Sequence, residues 1–215
     1  MKGSDYYERN AEALADRYDG IDAERLHESW SGALDSRPAG LACDIGAGSG
    51  RDARWLAKRG WEVVAVEPSA AMRRRGTRAT EGLAVTWVDD ALPALASLRG
   101  STCRFDLITL LAVWQHLEAV QRVDAFDTVS SLLRPGGLVV LTLRHGHNAA
   151  ENRERGFHPV SSDEVLALAG DRSLILEGRD RRRDLTRADV EWETLLLEHH
   201  EAAKDSPATG AFAGS

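Results

Sequence analysis

The chain has 215 residues, 43% of them hydrophobic, with a net charge of -7 and two cysteines. That length supports one domain with a proper core and does not call for a second, and the acidic balance argues against broad electrostatic capture of nucleic acid. No run of about 18 apolar residues would span a membrane, and Met1 to Asp5 lack the apolar core of a signal peptide, so a soluble, cytoplasmic protein is expected.

Residues 5–34 read as two helices, with Tyr6, Tyr7, Ala11, Leu14 and Tyr18 in the first and Leu26, Trp30 and Leu34 at helical spacing in the second. Residues 1–38 are therefore expected to form a helical cap, ahead of a core over 39–200. Arg37 to Gly40 make a turn, after which apolar Leu41 to Ile45 supply a buried strand. Gly46, Gly48 and Gly50 let the backbone turn tightly and approach a ligand closely. Asp52 opens a helix whose cationic end is Lys58-Arg59-Gly60, leaving free N–H groups at its start facing the glycine turn. Glu62 to Glu67 form a second strand ending in an acid, and a helix over 70–79 carries Arg73, Arg74, Arg75 and Arg78, read as a solvated face.

A third strand, 83–88, runs into Asp89-Asp90-Ala91-Leu92-Pro93; a fourth, 105–111, exits through Trp114-Gln115-His116. An amphipathic helix over 121–133 ends at Arg134-Pro135-Gly136-Gly137, followed by a fifth strand, 138–143, leaving at Arg144-His145-Gly146-His147. Residues 149–160 carry no clear pattern. Ser161 with Glu164 reads as a capping box opening a helix. Strands at 173–178 and 190–197 form a final hairpin whose tip would present Arg181, Arg182 and Arg183, and the tail from 201 has a disordered composition. Cys43 and Cys103 lack metal-ligand spacing and read as buried thiols; no helical H-x-x-x-H or Cys/His pair supports a metal.

A dinucleotide-binding G-x-G-x-x-G requires a third glycine where Arg51 stands. The stretch Asp44-Ile45-Gly46-Ala47-Gly48-Ser49-Gly50 instead resembles motif I of the class I S-adenosylmethionine-dependent methyltransferases, (D/E)-x-G-x-G-x-G. Glu67, Asp89-Asp90-Ala91, Phe105-Asp106 and Arg134-Pro135-Gly136-Gly137 resemble later motifs of that family, in its order. The resemblance implies an α/β fold: three layers around a doubly wound, seven-stranded, mostly parallel sheet of order 3-2-1-4-5-7-6, strand 7 antiparallel. It also implies S-adenosyl-L-methionine as cofactor. Its contacts would come from Asp44, the turn Gly46, Ala47, Gly48 and Gly50, and from Asp52. Glu67 with Pro68 would meet the ribose, Asp89 or Asp90 with Ala91 the adenine, and Leu111 the strand-exit side.

Glu67 has an alternative reading as a cap for the next helix, and Tyr6 and Tyr7, which would line the site in the family, one as packing residues. The loops after the fourth and fifth strands would face the transferred methyl, so Trp114, Arg144 and Arg182 are candidate acceptor contacts. His116, His145 and His147 are candidate bases, each with the alternative of an ordinary loop histidine. The expected function is methyl transfer by in-line displacement to a small molecule, anionic if the arginines gather at one mouth. The alternatives are an RNA or protein methyltransferase, helped by Arg73 to Arg78, a binding module without chemistry, and a nicotinamide-dependent oxidoreductase.

Overall fold

A computed structural model describes residues 2–146 and 148–200; His147 and the tail from 201, expected to be disordered, lie outside the described residues. The strands are β1 (Leu41–Ile45), β2 (Glu62–Val66), β3 (Val85–Val88), β4 (Phe105–Leu110), β5 (Leu133–Gly146), β6 (Leu174–Arg183) and β7 (Val190–His199). They form one seven-stranded sheet in the order 3-2-1-4-5-7-6, parallel except that β7 runs antiparallel to both β5 and β6. This is the doubly wound sheet the motifs implied.

The strands read as continuous apolar runs because both faces of the sheet are covered. Cys43, Ile108, Val139 and Leu197 pack on one side with Phe126, Val129 and Val165. Their neighbours Ala42, Leu107, Val140 and Leu196 pack on the other with Trp30, Trp55 and Leu56. The helices are α1 (Lys2–Arg9), α2 (Ala11–Asp19), α3 (Ala23–Asp35), α4 (Arg51–Lys58), α5 (Ala70–Ala79), α6 (Ala96–Arg99), α7 (Ala119–Leu132), α8 (Ala149–Arg155) and α9 (Ser162–Gly170). A third small core joins Ala11, Leu14 and Ala15 of α2 to Met72 of α5, with Tyr6, Tyr7 and Tyr18 against it.

Several expectations need correction. The first helix of the amino-terminal pair is two, α1 and α2, broken at Asn10, whose side-chain amide is drawn back to the Tyr6 carbonyl at 2.8 Å. Strand β5 starts five residues earlier than the apolar run, at Leu133 beside Phe105, and a bulge absorbs the Arg134–Gly137 segment. Strand β6 continues through the arginine tract to Arg183, because Arg179 and Arg181 pair across the ladder with Glu193 at 2.6 Å and Glu191 at 3.0 Å. The hairpin tip is thus 184–189, not the arginines. Ser161 does stand before α9, but its hydroxyl makes no cap, and Glu164 is taken instead by Arg122 at 2.6 Å. Residues 149–155 form α8, capped by Asn148 Oδ1, which accepts from the N–H groups of Ala150 and Glu151. Cys43 is buried as expected, whereas Cys103 is exposed.

Candidate active site

The carboxyl ends of β1, β2, β4 and β5 open into a cavity of about 790 Å³, roofed by residues of α1 to α3 and by α8 with the turn after it. That size lies within the usual range of small-molecule sites. The floor at one end is the glycine turn. Gly46, Gly48 and Gly50 have φ values of +74°, +55° and +84°, a backbone that residues with a Cβ rarely adopt. At Gly46 a Cβ would also come within 2.5 Å of Val113 Cγ2. The N–H groups of Gly46 and Ala47 both donate to the Val66 carbonyl, at 2.8 and 3.0 Å, which clamps the turn onto β2.

Glu67 ends β2 and faces the cavity. Its Oε2 accepts from the Gly48 N–H and its Oε1 from the Ser69 N–H, both at 2.9 Å. Burial raises its carboxyl above the ordinary range, with the two N–H donors working against that. The cap of α5 is Ser69 itself, whose Oγ accepts from the Met72 N–H at 3.2 Å, so Glu67 is not the helix cap, and each of its oxygens retains a lone pair for a ligand hydroxyl. Pro68, Ala91 and Leu111 also line the cavity. Asp90 lines it while its carboxylate accepts from the N–H groups of Ala91 at 2.8 Å and Ser97 at 2.7 Å.

Asp89 does not line it. Its carboxylate, 69% exposed, is held on the outside by Arg73 at 2.6 Å. Arg73 also donates to the Glu67 carbonyl at 2.6 Å, and Arg75 pairs with Asp16 at 2.7 Å, so these two are structural ties rather than a solvated face.

Two carboxylates lie at the turn's base. Asp52 is in the first turn of α4 and lines the cavity; Arg51, at 2.8 Å, and His27, at 2.9 Å, outweigh its burial and hold it well below the usual carboxylate range. Asp44 is buried beneath and does not line the cavity. Thr109 Oγ1 donates to its Oδ1 at 2.8 Å, but Oδ2 has no partner. Burial first, then the neighbouring Asp52 charge, push its carboxyl up to about 7. A carboxyl raised in the fold contributes stability below its ordinary pKa that is lost as pH rises through the raised value. The ligand-free protein should therefore be less resistant to urea at pH 8 than at pH 5 on this account, and Asp44→Asn should narrow that difference. An unchanged pH slope in the variant would show that Asp44 is ionised throughout.

On the acceptor side, Tyr7, His116, Arg144 and Arg182 line the cavity. The Tyr7 hydroxyl lies 3.1 Å from His116 Nε2 and accepts from Arg155 at 2.8 Å; Arg155 also donates to the Tyr18 hydroxyl at 2.9 Å. Burial, with Arg155 and His158 nearby, lowers His116 to about 3. Arg182 donates to the carbonyls of Arg25, at 3.1 Å, and Leu26.

Three candidates point elsewhere. Tyr6 packs edge-on against Tyr7 at 5.7 Å and lies outside the wall. Trp114 is fully buried, because the 3₁₀ turn Trp114–His116 rolls it onto Phe126, 5.9 Å between centroids. His145 follows Arg144 on β5, so strand alternation puts it on the opposite face, bonded to Glu193 at 2.9 Å. His147 lies outside the described residues.

Sequence reasoning missed His27, Gln115, Thr142, Arg155, Phe157, Arg187 and Trp192, all on the wall. His27 shares a helical stripe with Trp30 and Leu34, and Thr142 alternates with Arg144, so both carried a signal. The stretch holding Arg155 and Phe157 carried none.

Among the described residues, Glu177, Glu198 and His200 bring potential metal-binding atoms within 4.8 Å of one another. No described helix is long and apolar enough to cross a membrane.

Residues 43–139 match the methyltransferase domain family. An uncharacterized methyltransferase of Geobacillus kaustophilus is 27% identical over 164 residues, 73% of this chain and 74% of that protein. Among solved structures, the N-methyltransferase NodS of Bradyrhizobium japonicum with S-adenosyl-L-homocysteine superposes with a TM-score of 0.67 at 18% identity, covering 89% of this chain and 100% of that one. Magnesium protoporphyrin IX methyltransferase of Synechocystis, also with S-adenosylhomocysteine, gives 0.70 at 15%, covering 93% and 100%.

Proposed function

The chain carries a methyltransferase domain of the class I, S-adenosylmethionine-dependent kind, and from that premise we propose that it methylates a small, negatively charged molecule. The observation that carries this reading is the cavity, in which one continuous space joins the glycine turn and Glu67 to a wall of arginines and aromatic rings. An extended polymer is a poor occupant of such a space, and the net charge of -7 disfavours nucleic acid. Both solved relatives are named as methyltransferases, one for magnesium protoporphyrin IX.

The residues fit the cofactor. The turn offers a floor without side chains at Gly46 and Gly48, with Ala47 beside them, whereas Gly50 lies off the cavity wall and packs closely against Trp87 and Gly76. Glu67, fixed by Gly48 and Ser69, has free lone pairs for ribose hydroxyls. Pro68, Asp90, Ala91 and Leu111 form the adenine side, and Asp52, with Asp44 behind it, supplies negative charge where the cationic end would lie. S-adenosylmethionine, when bound, supplies a methyl group that is already electrophilic.

The chain's own task is then to bring an acceptor atom into line and exclude water. The helices before β1 act as the cap, through Tyr7, Tyr18 and Trp30. His116 is a weak base at about 3, and its Nε2 faces the Tyr7 hydroxyl, so it positions Tyr7 instead of taking a proton. The acceptor atom is accordingly one that is nucleophilic without a strong base, such as a carboxylate, a thiolate or a free amine.

The test is to incubate the protein with methyl-labelled S-adenosylmethionine and a fractionated cell extract. Label entering one low-mass anionic compound is the expected result. Label in the RNA or protein fraction would overturn the acceptor class, and cofactor binding without any labelled product would mark a binding module.

A further inference from the structure

Behind the acceptor end of the cavity, one carboxylate serves three arginines. Glu151 Oε2 takes Arg144 at 2.5 Å, and its Oε1 takes Arg155 at 3.0 Å and Arg187 at 3.1 Å. Glu151 itself does not line the cavity, whereas all three arginines do. Asp184 adds a second carboxylate, to Arg187 at 2.7 Å. Three guanidinium charges thus meet two carboxylates in a place where side-chain exposure is 2% for Arg144 and 8% for Arg155.

The cluster is also short of acceptors. The Nε groups of Arg144, Arg155 and Arg187 are all buried without a hydrogen-bond partner, and buried unpaired donors and charges are costly. Phe157 lies under two of the guanidiniums, 4.8 Å from Arg144 and 4.7 Å from Arg155, fixing their planes. Burial lowers Arg144 from its ordinary value; Glu151 and, less strongly, Asp189 oppose this, while the adjoining Arg187 and Arg155 add to it. An anion entering the cavity would relieve that crowding.

We propose that Arg144, Arg155 and Arg187, braced from behind by Glu151, are a receptor for an oxyanion on the methyl acceptor, a carboxylate or phosphate carried on an aromatic or apolar body. The proposal rests on the small-molecule reading above and replaces Arg181 to Arg183 as its basis. Arg181 is spent on Glu191 at the surface, while Arg182 is tied to α3 carbonyls. Guanidinium forks match both oxyanions in geometry, and the aromatic rings beside them match the body.

The probes are benzoate and phenyl phosphate, with benzamide as the neutral control, titrated by calorimetry into the full chain saturated with S-adenosylhomocysteine. At least one anion should bind about tenfold or more tighter than benzamide, and the preferred one identifies carboxylate or phosphate. Arg144→Gln and Arg187→Gln should each weaken it about tenfold while S-adenosylhomocysteine affinity stays within about twofold. Glu151→Gln should act in the opposite direction and tighten the anion, which a merely structural role would not do. If Arg144→Gln does not fold, Arg187→Gln, at a more exposed position, decides. Equal affinity for benzamide, no binding of either anion, or unchanged binding in Arg187→Gln overturns the receptor. Failure to bind S-adenosylhomocysteine would instead overturn the function on which it rests.

Discussion

Glu67→Ala is expected to weaken S-adenosylhomocysteine binding about a hundredfold, roughly 2.8 kcal/mol, as read by calorimetry. Two losses combine. The ligand forfeits a charged acceptor, and hydrogen bonds to charged groups contribute about 1.5–3 kcal/mol. The Gly48 and Ser69 N–H groups lose the oxygens that hold them at 2.9 Å, so the glycine turn is no longer fixed to the end of β2. Glu67→Gln separates the two losses. It keeps the shape and one oxygen but puts an amide donor against a backbone donor, and a loss nearer tenfold is expected. An unchanged dissociation constant in both variants would mean that the nucleoside is held elsewhere.

Arg122→Ala is expected to cost about 2–3 kcal/mol of stability, because it strands the carbonyl of buried Leu117, and a buried acceptor left unsatisfied costs about 1–3 kcal/mol, while Glu164, itself 32% exposed, is returned to water. The Arg122 side chain is 4% exposed, and it donates to the Leu117 carbonyl at 3.2 and 3.1 Å, to Pro159 at 2.6 Å and to Glu164 at 2.6 Å. It thereby joins the loop after β4, the connection after α8 and the start of α9. For a chain of this size each kcal/mol corresponds to about 2–4 °C in melting temperature, so a fall of about 4–12 °C is expected in a thermal melt. Arg122→Met keeps much of the apolar stem and should lose less than alanine does. A shift under about 1 kcal/mol would mean that water satisfies the abandoned carbonyls.

The parallel half of the sheet was legible because its signals are local. Leu41 to Ile45 are apolar and end in glycines, Glu67 closes the next apolar run, and Asp90-Ala91 follows the third. Each of these needs only neighbours in the chain. The antiparallel half depends on partners far away. Nothing near Arg179 to Arg183 says that β6 continues, since the glutamates that hold it, Glu191 and Glu193, lie on the next strand. The same holds for side-chain direction. That Arg144 and His145 face opposite ways follows from any strand, but which of them meets the cavity is settled only when β7 pairs in register with Arg144 opposite Trp192. Trp114 reads in sequence as an exit-loop contact for the acceptor, because a single 3₁₀ turn, too short to show a period, is what turns it inward. Arg155 and Phe157 sit in a stretch whose helix is closed by Gly156 at φ +66°, leaving no repeat to detect.

The cavity wall is assembled from three lengths of chain, of which the helices before β1 supply part of the roof. The end proposed for the nucleoside is built between residues 45 and 111, inside the region matched by the methyltransferase domain family. The arginine end comes from 142–194, outside that region, and the two meet across the sheet and through the roof. Changes in the later segment can accordingly accumulate without disturbing the earlier one. The chain is organised like a tool with a fixed handle and an exchangeable bit, and what distinguishes it from its relatives should be sought at the bit.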